Sequence, residues 1–245
     1  KLHLLLKKYK IKDDIYEKYL LSDKKESIEI INNKLRDISV YLENDNSLLC
    51  VDSKDLVLKL NLRRGLTIDS LAFNSHKMQP CIGTLPHGYF SSIDLGADFY
   101  SGGLIAELPR ERMKITDLEK VVPALSIDSS GNLIIHSEIK TKIGNINKLL
   151  RISRNKEEIS ISYSFSDIRT IGSVRLGIIT LLESFNEDLK IMFVNGGNKL
   201  ESHKFEGQFN QAEQASSFVS SSRGLGATTG EIILINKKNK IFLKW

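Results

Sequence analysis

Two hydrophobic periods divide the chain. In the lead segment Ile15, Tyr19 and Leu20, then Ile28, Ile31, Leu35 and Ile38, recur at helical intervals between charged residues, which predicts helix over much of residues 1–44. Ser22 or Asp23 would cap the second helix, with Glu26 in its first turn. After Asn44-Asp45-Asn46 the pattern becomes short β-prone runs broken by turn residues. SLLCVD, DLVLKLNL and GLTIDSLAF come first, and Leu56, Leu58, Leu60 and Leu62 mark one face of a strand. GLIAEL, NLIIHSEIKT, a run near Lys148 to Ser153, EEISISYSFS, SVRLGIITLL, LKIMFVN, EIILIN and KIFLKW follow.

The turns suit hairpins: Ser129-Ser130-Gly131-Asn132, Asn195-Gly196-Gly197-Asn198 and Lys237-Lys238-Asn239. ITDLEKVVPAL reads as a helical turn or a loop, and FNQAEQASSFVSSSRGLGATTG as irregular. Many strands without long helices between them predict a mainly β fold, a large antiparallel β-sandwich or supersandwich with a short α-helical N-terminal segment. The expected division is a helical lead over 1–44 and a β-sandwich domain over 45–245. The start at Lys1 without an initiator methionine, and the stop at Trp245 within an alternating run, suggest a piece of a longer polypeptide.

One stretch resists either period. Pro80 to Pro109 brings His87, Tyr89, Asp94, Asp98, Tyr100 and Glu107 together with little apolar regularity, which predicts a long ordered loop of the kind that carries function. Carboxylates, imidazole and flat rings suit sugar hydroxyls and ring faces. Pro86 and Gly88 would fix a bend presenting His87 as an acid, a base or a hydrogen-bond donor; the alternative is a histidine that satisfies a loop carbonyl. Asp94 and Asp98 would bind carbohydrate or tie the loop's own backbone, and no calcium-loop pattern surrounds them. Glu107, in an apolar run, is either a buried carboxylate with a raised pKa or a residue on the solvated face of a half-buried strand. Arg64, in Arg63-Arg64-Gly65, is a candidate donor to hydroxyls, or a cover for strand ends. His76, His136, Glu138 and His203 read as structural.

Composition narrows the classes. There are 35 basic and 30 acidic residues, a net charge of +5, and a pI near 9.0, but the basic residues are scattered beside acids. This argues for a solvated surface and against a nucleic-acid partner. No span of eighteen apolar residues or signal peptide stands out, so no membrane partner is expected and cytoplasmic residence is the default. Cys50 and Cys81 leave open a single disulfide. No cysteine-histidine metal spacing, nucleophile elbow, Walker loop or dinucleotide fingerprint is found, so neither metal nor cofactor is expected.

The run Arg-Arg-Gly-Leu-Thr-Ile-Asp-Ser-Leu, placed early in a long series of strands, resembles the first hairpin of galactose-mutarotase-like β-supersandwich domains. The Gly83 to Gly103 loop and the late Gly-Glu-Ile-Ile-Leu strand are similar to carbohydrate-active members, including the β-sandwich domains C-terminal in family 57 glycoside hydrolases. Leu-Pro-His-Gly-Tyr matches only the His-Gly part of the epimerase element. The resemblance implies a carbohydrate-associated β-sandwich domain of a glycoside hydrolase or glucan-transferring enzyme. It would bind a sugar chain in a cleft bordered by the 80–109 loop, through Tyr89, Asp94, Asp98, Tyr100 and Arg64. The alternatives are a sugar mutarotase or epimerase with His87 and Glu107 as acid and base, and a noncatalytic module docking other domains of the parent polypeptide.

Overall fold

The structure, a computed structural model, describes residues 18–21, 24–85, 96–166, 172–186, 188–204, 227–237 and 239–245. It is mainly β, and every strand pairing is antiparallel, in four sheets. One five-stranded sheet joins β2 (Ile38–Glu43), β3 (Leu48–Ser53), β4 (Leu56–Asn61), β5 (Thr67–Phe73) and β6 (Pro80–Gly83) in sequence order. A second orders β1 (Tyr19–Leu20) beside β9 (Ala124–Ile127), β10 (Leu133–Thr141), β11 (Gly144–Ile152) and β12 (Ile159–Ser166). A three-stranded sheet sets β7 (Leu104–Leu108) between β13 (Ser173–Leu176) and β8 (Met113–Thr116). The fourth runs β15 (Leu200–Lys204), β14 (Lys190–Val194), β16 (Glu231–Asn236) and β17 (Asn239–Lys244).

Alternation builds the core. Leu56, Leu58 and Leu60 of β4 are fully buried while Val57, Lys59 and Asn61 are half-buried, as a period of two requires. These leucines join Val40 and Val51 from their own sheet, Leu125, Ile135, Ile146 and Leu150 from the second, Leu104 and Ala106 from the third, and Leu234 from the fourth in one apolar core. That shared core is the sandwich expected from the strand pattern.

The lead segment differs from its predicted form. Among its described residues one helix, α1 (Lys24–Lys34), stands there, with its Ile31 buried. Tyr19 pairs with Leu125, and Ile38 pairs with Ser53 at the start of β2, so both flanks of the predicted helix are strands. Ile38, Val40 and Tyr41 are β-branched or aromatic and favour a pleated surface, which outweighs the helical spacing of Ile38 from Ile31 and Leu35. Asn32 fastens helix to sheet: its side-chain amide donates to Val40 O at 2.8 Å and its carbonyl accepts from Val40 N–H at 2.7 Å. The edge of β2 is thereby satisfied by a side chain instead of a further strand. The predicted caps Ser22 and Asp23 lie outside the described residues.

The ITDLEKVVPAL stretch is not helical; it ends β8, crosses as an extended connection and starts β9. The SVRLGIITLL run is strand only over β13, because Gly177 turns away at φ 63° and Leu181 makes an isolated bridge with Ile82. Asn44, Asp45 and Asn46 all take left-handed conformations, φ 49°, 52° and 62°, between β2 and β3. Short polar side chains make that conformation accessible.

Candidate functional site

The Pro80 to Pro109 stretch is less of a loop than its composition predicts, because β6 occupies its start and β7 its end. Between them the chain is anchored at both sides. Thr84 N–H donates to Asp69 O at 3.1 Å and its hydroxyl to Ile68 O at 2.9 Å. Leu85 N–H donates to Phe99 O at 3.3 Å, which closes the base of the intervening segment. Ser101 locks the far side: its hydroxyl donates to Gly83 O at 2.5 Å and accepts from Thr180 N–H at 2.9 Å. His87, Tyr89 and Asp94 lie outside the described residues.

The remaining expected residues of this stretch meet on one surface. Asp98 sits on a 3-10 turn (Ala97–Phe99), Glu107 on β7, and Arg175 on the adjoining edge strand β13. Arg175 Nη1 donates to Asp98 Oδ1 at 3.0 Å and Nη2 to Glu107 Oε1 at 3.0 Å. The side chains of Arg175, Asp98 and Glu107 remain 47%, 48% and 42% exposed. Of the two readings of Glu107, the half-buried strand with a solvated carboxylate is the one observed, with an ion pair added. Tyr100 packs beside this cluster against Ala97, Ile105 and Leu118. Arg64 lies on the turn between β4 and β5; among the described residues no hydrogen bond or ion pair joins it to the Arg175 cluster.

Behind this surface a second charged pair is entirely enclosed. Lys148 of β11 and Asp117, just after β8, both have 0% side-chain exposure. Lys148 Nζ donates to Asp117 Oδ2 at 3.0 Å and to Gly65 O at 2.7 Å, and lies 5.6 Å from the Tyr163 ring centroid. Asp117 Oδ1 accepts from Leu104 N–H at 2.8 Å, and Tyr163 OH donates to Gly102 O at 2.5 Å. Burial pushes the Lys148 pKa down against the pull of the Asp117 charge. Burial also raises that of Tyr163, and the Asp117 carboxylate adds to the effect. Gly65, at φ +60°, makes the close approach possible: a Cβ there would fall 1.8 Å from Asp117 O.

A third cluster occupies β2, β3, β4 and β5. Lys59 Nζ donates to Glu43 Oε2 at 2.6 Å; this bond lowers the Glu43 pKa and raises that of Lys59. Nearby, burial raises the pKa of Asp69, opposed by the Lys59 charge. Asp69 belongs to the Arg-Arg-Gly-Leu-Thr-Ile-Asp-Ser-Leu run, but strand alternation gave no reason to select it. Arg175 was missed for a related reason: a single arginine inside SVRL reads as an ordinary strand residue.

The two cysteines are free and buried, and desolvation raises Cys50 to about 12 and Cys81 to about 11, so both are thiols at neutral pH. His76 is buried against Phe185 with ring centroids 4.9 Å apart, His136 bonds to Asn147, and His203 stacks on Phe193. Among the described residues no group of His, Cys, Asp and Glu is arranged to hold a metal ion. Nor is any helix among them long and apolar enough to cross a membrane.

Compared with known families, with curated proteins and with solved structures, the chain finds no match.

Proposed function

We propose that the chain is a carbohydrate-associated β-sandwich domain that binds a glycan at the Arg175, Asp98 and Glu107 surface beside Tyr100. The carrying observation is the guanidinium that holds two half-exposed carboxylates in fixed directions. Each carboxylate keeps acceptor capacity beyond the arginine, so the pair can take hydrogen bonds from adjacent sugar hydroxyls. A neighbouring tyrosine supplies a flat face for the apolar side of a pyranose. An exposed ion pair contributes little to folding, which leaves its hydrogen bonds free to be rearranged by a ligand.

Glu107 acts here as an oriented acceptor and not as a catalytic acid, since its carboxylate is engaged by Arg175 and open to water. The reading is therefore a noncatalytic glycan-binding module of a carbohydrate-active enzyme. Titration with malto-oligosaccharides and other neutral glycans should shift the NMR signals of Asp98, Tyr100, Glu107 and Arg175. Arg175→Ala should weaken that binding at least tenfold. No shift at these residues with any glycan removes the proposal.

A further inference from the structure

Where the β9–β10 and β11–β12 turns meet, the second sheet carries a cleft of about 310 Å³, lined in part by Asn132, Arg151, Ser153, Lys156, Glu158 and Ser160. Strand register explains why these side chains converge. Arg151 of β11 pairs with Ser160 of β12, and two residues further on Ser153 N–H donates to Glu158 O at 3.1 Å. Alternation puts all four side chains on one face of the sheet, opposite Ile152, which lies in the core.

Both walls are tied down. The β9–β10 turn is gathered round Asp128, whose Oδ1 accepts from the backbone N–H groups of Ser130 and Asn132, each at 2.9 Å. Its Oδ2 accepts from the Asn132 side-chain amide at 2.9 Å and meets Arg151 Nη2 at 2.5 Å. Burial works to raise the Asp128 pKa, but these hydrogen bonds and the Arg151 charge hold it below its ordinary value. Arg151 is thus aimed by a carboxylate only 8% exposed, while its own side chain stays 48% exposed. In the β11–β12 turn, Arg154 donates from Nε and Nη2 to Asp37 Oδ2 at 3.1 and 2.7 Å, and its backbone N–H donates to Asn132 Oδ1 at 3.1 Å. On the other side of that turn Glu157 Oε1 accepts from Ser75 N–H at 2.6 Å. Bracing of this kind lowers the ordering cost that a ligand must meet.

We propose that this cleft binds a small phosphate ester of a polyhydroxylated molecule, such as a sugar or polyol phosphate. Asp128 engages one end of the Arg151 guanidinium, and the planar fork has five N–H donors, so others remain to meet phosphate oxygens. Lys156, exposed at the rim, adds a second cation, and the Ser153 and Ser160 hydroxyls add neutral donors. Glu158 would repel a bare anion, but its carboxylate accepts hydrogen bonds from hydroxyls, so it suits the uncharged part of an ester. Among the described residues the lining holds no aromatic ring for a sugar face to stack on, which leaves the phosphate to supply the affinity. The volume lies at the lower end of the range of about 300–1,000 Å³ for small-molecule sites, which fits a metabolite and not a polymer. The inference is independent of the glycan reading, whose residues lie on other elements.

The test is NMR titration of the full chain with glucose-6-phosphate, glycerol-3-phosphate, glucose and inorganic phosphate. At least one of the two esters should shift the signals of Asn132, Arg151, Ser153 and Ser160, with glucose and inorganic phosphate each binding about tenfold more weakly or worse. Arg151→Gln should cost about tenfold or more, and Lys156→Gln a severalfold loss that shrinks as salt is raised. Because Arg151 also holds Asp128, Ser160→Ala provides a variant that leaves that pair intact, and it should lose about threefold. Far-UV circular dichroism checks that each variant folds. Absence of shifts at these residues up to about 10 mM of either ester overturns the proposal, as does glucose binding as tightly as its phosphate. So does wild-type affinity in both Arg151→Gln and Lys156→Gln. Inorganic phosphate binding as tightly as the esters also overturns it, and would assign the cleft to a free oxyanion.

Discussion

Lys148 with Asp117 and Arg175 with Asp98 and Glu107 use the same chemistry for opposite ends. The first pair has no exposure to water, and protein groups take up its charge: a backbone carbonyl, a backbone N–H and an aromatic face. The second keeps between 42% and 48% of each side chain in solvent. A buried pair must be complete, because an orphaned charge in a low-dielectric interior is costly. An exposed pair can be broken by water or ligand at small cost. Surroundings, more than the residues themselves, separate a structural pin from the surface proposed to bind a glycan.

Breaking the enclosed pair should have the largest effect. Lys148→Met leaves the Asp117 carboxylate buried without its cation, and should lower unfolding free energy by about 3–5 kcal/mol in urea titration. Adding Asp117→Asn retains an acceptor for Leu104 N–H while removing the charge, so the double variant should recover a substantial part of that loss. If Lys148→Met unfolds as wild type does, the pair is not a structural pin. Next comes Gly65→Ala, where a left-handed backbone and a Cβ 1.8 Å from Asp117 O act together. A loss of about 1–3 kcal/mol is expected by the same titration, since the turn must move away from Lys148. A stable alanine variant would mean that the turn is looser than this packing requires.

Arg175→Ala reverses the balance. Its urea midpoint should move by no more than about 1 kcal/mol of stability, as for other exposed pairs. Glycan affinity, measured by NMR titration, should fall at least tenfold. A large stability loss with unchanged glycan binding would place Arg175 with Lys148 as a structural residue.

Legibility follows the same division. Strands with long apolar alternation, such as β4 and β10, stand out in the sequence because their pattern is imposed by burial on one face. β8, β9 and β15 do not, since four or five residues such as LESHK acquire strand geometry only by pairing with neighbours. Asp98 and Glu107 are recognisable as candidates by type and by their irregular surroundings. Arg175, 77 and 68 positions away from them, is brought in by the β7 and β13 pairing, which no local pattern encodes. Lys148 likewise reads as a surface residue, because lysine is almost never buried without a partner and Asp117 is 31 positions distant.

Asp69 lies between the two extremes and should give the smallest effect. It is half-buried, and no hydrogen bond or ion pair to its carboxylate is found among the described residues. Burial raises its pKa above 3.8, against the opposing charge of Lys59. The native state therefore holds the Asp69 proton more tightly than the unfolded chain does. This favours folding below the unfolded value and is lost as pH rises through the raised native value, leaving a penalty at neutral pH. Asp69→Asn removes that penalty and should raise the melting temperature by about 2 °C at neutral pH. The difference should shrink when both proteins are melted well below pH 3.8. Destabilisation of the variant at neutral pH would show instead that the ionised carboxylate is paired, as in the two clusters that bracket it.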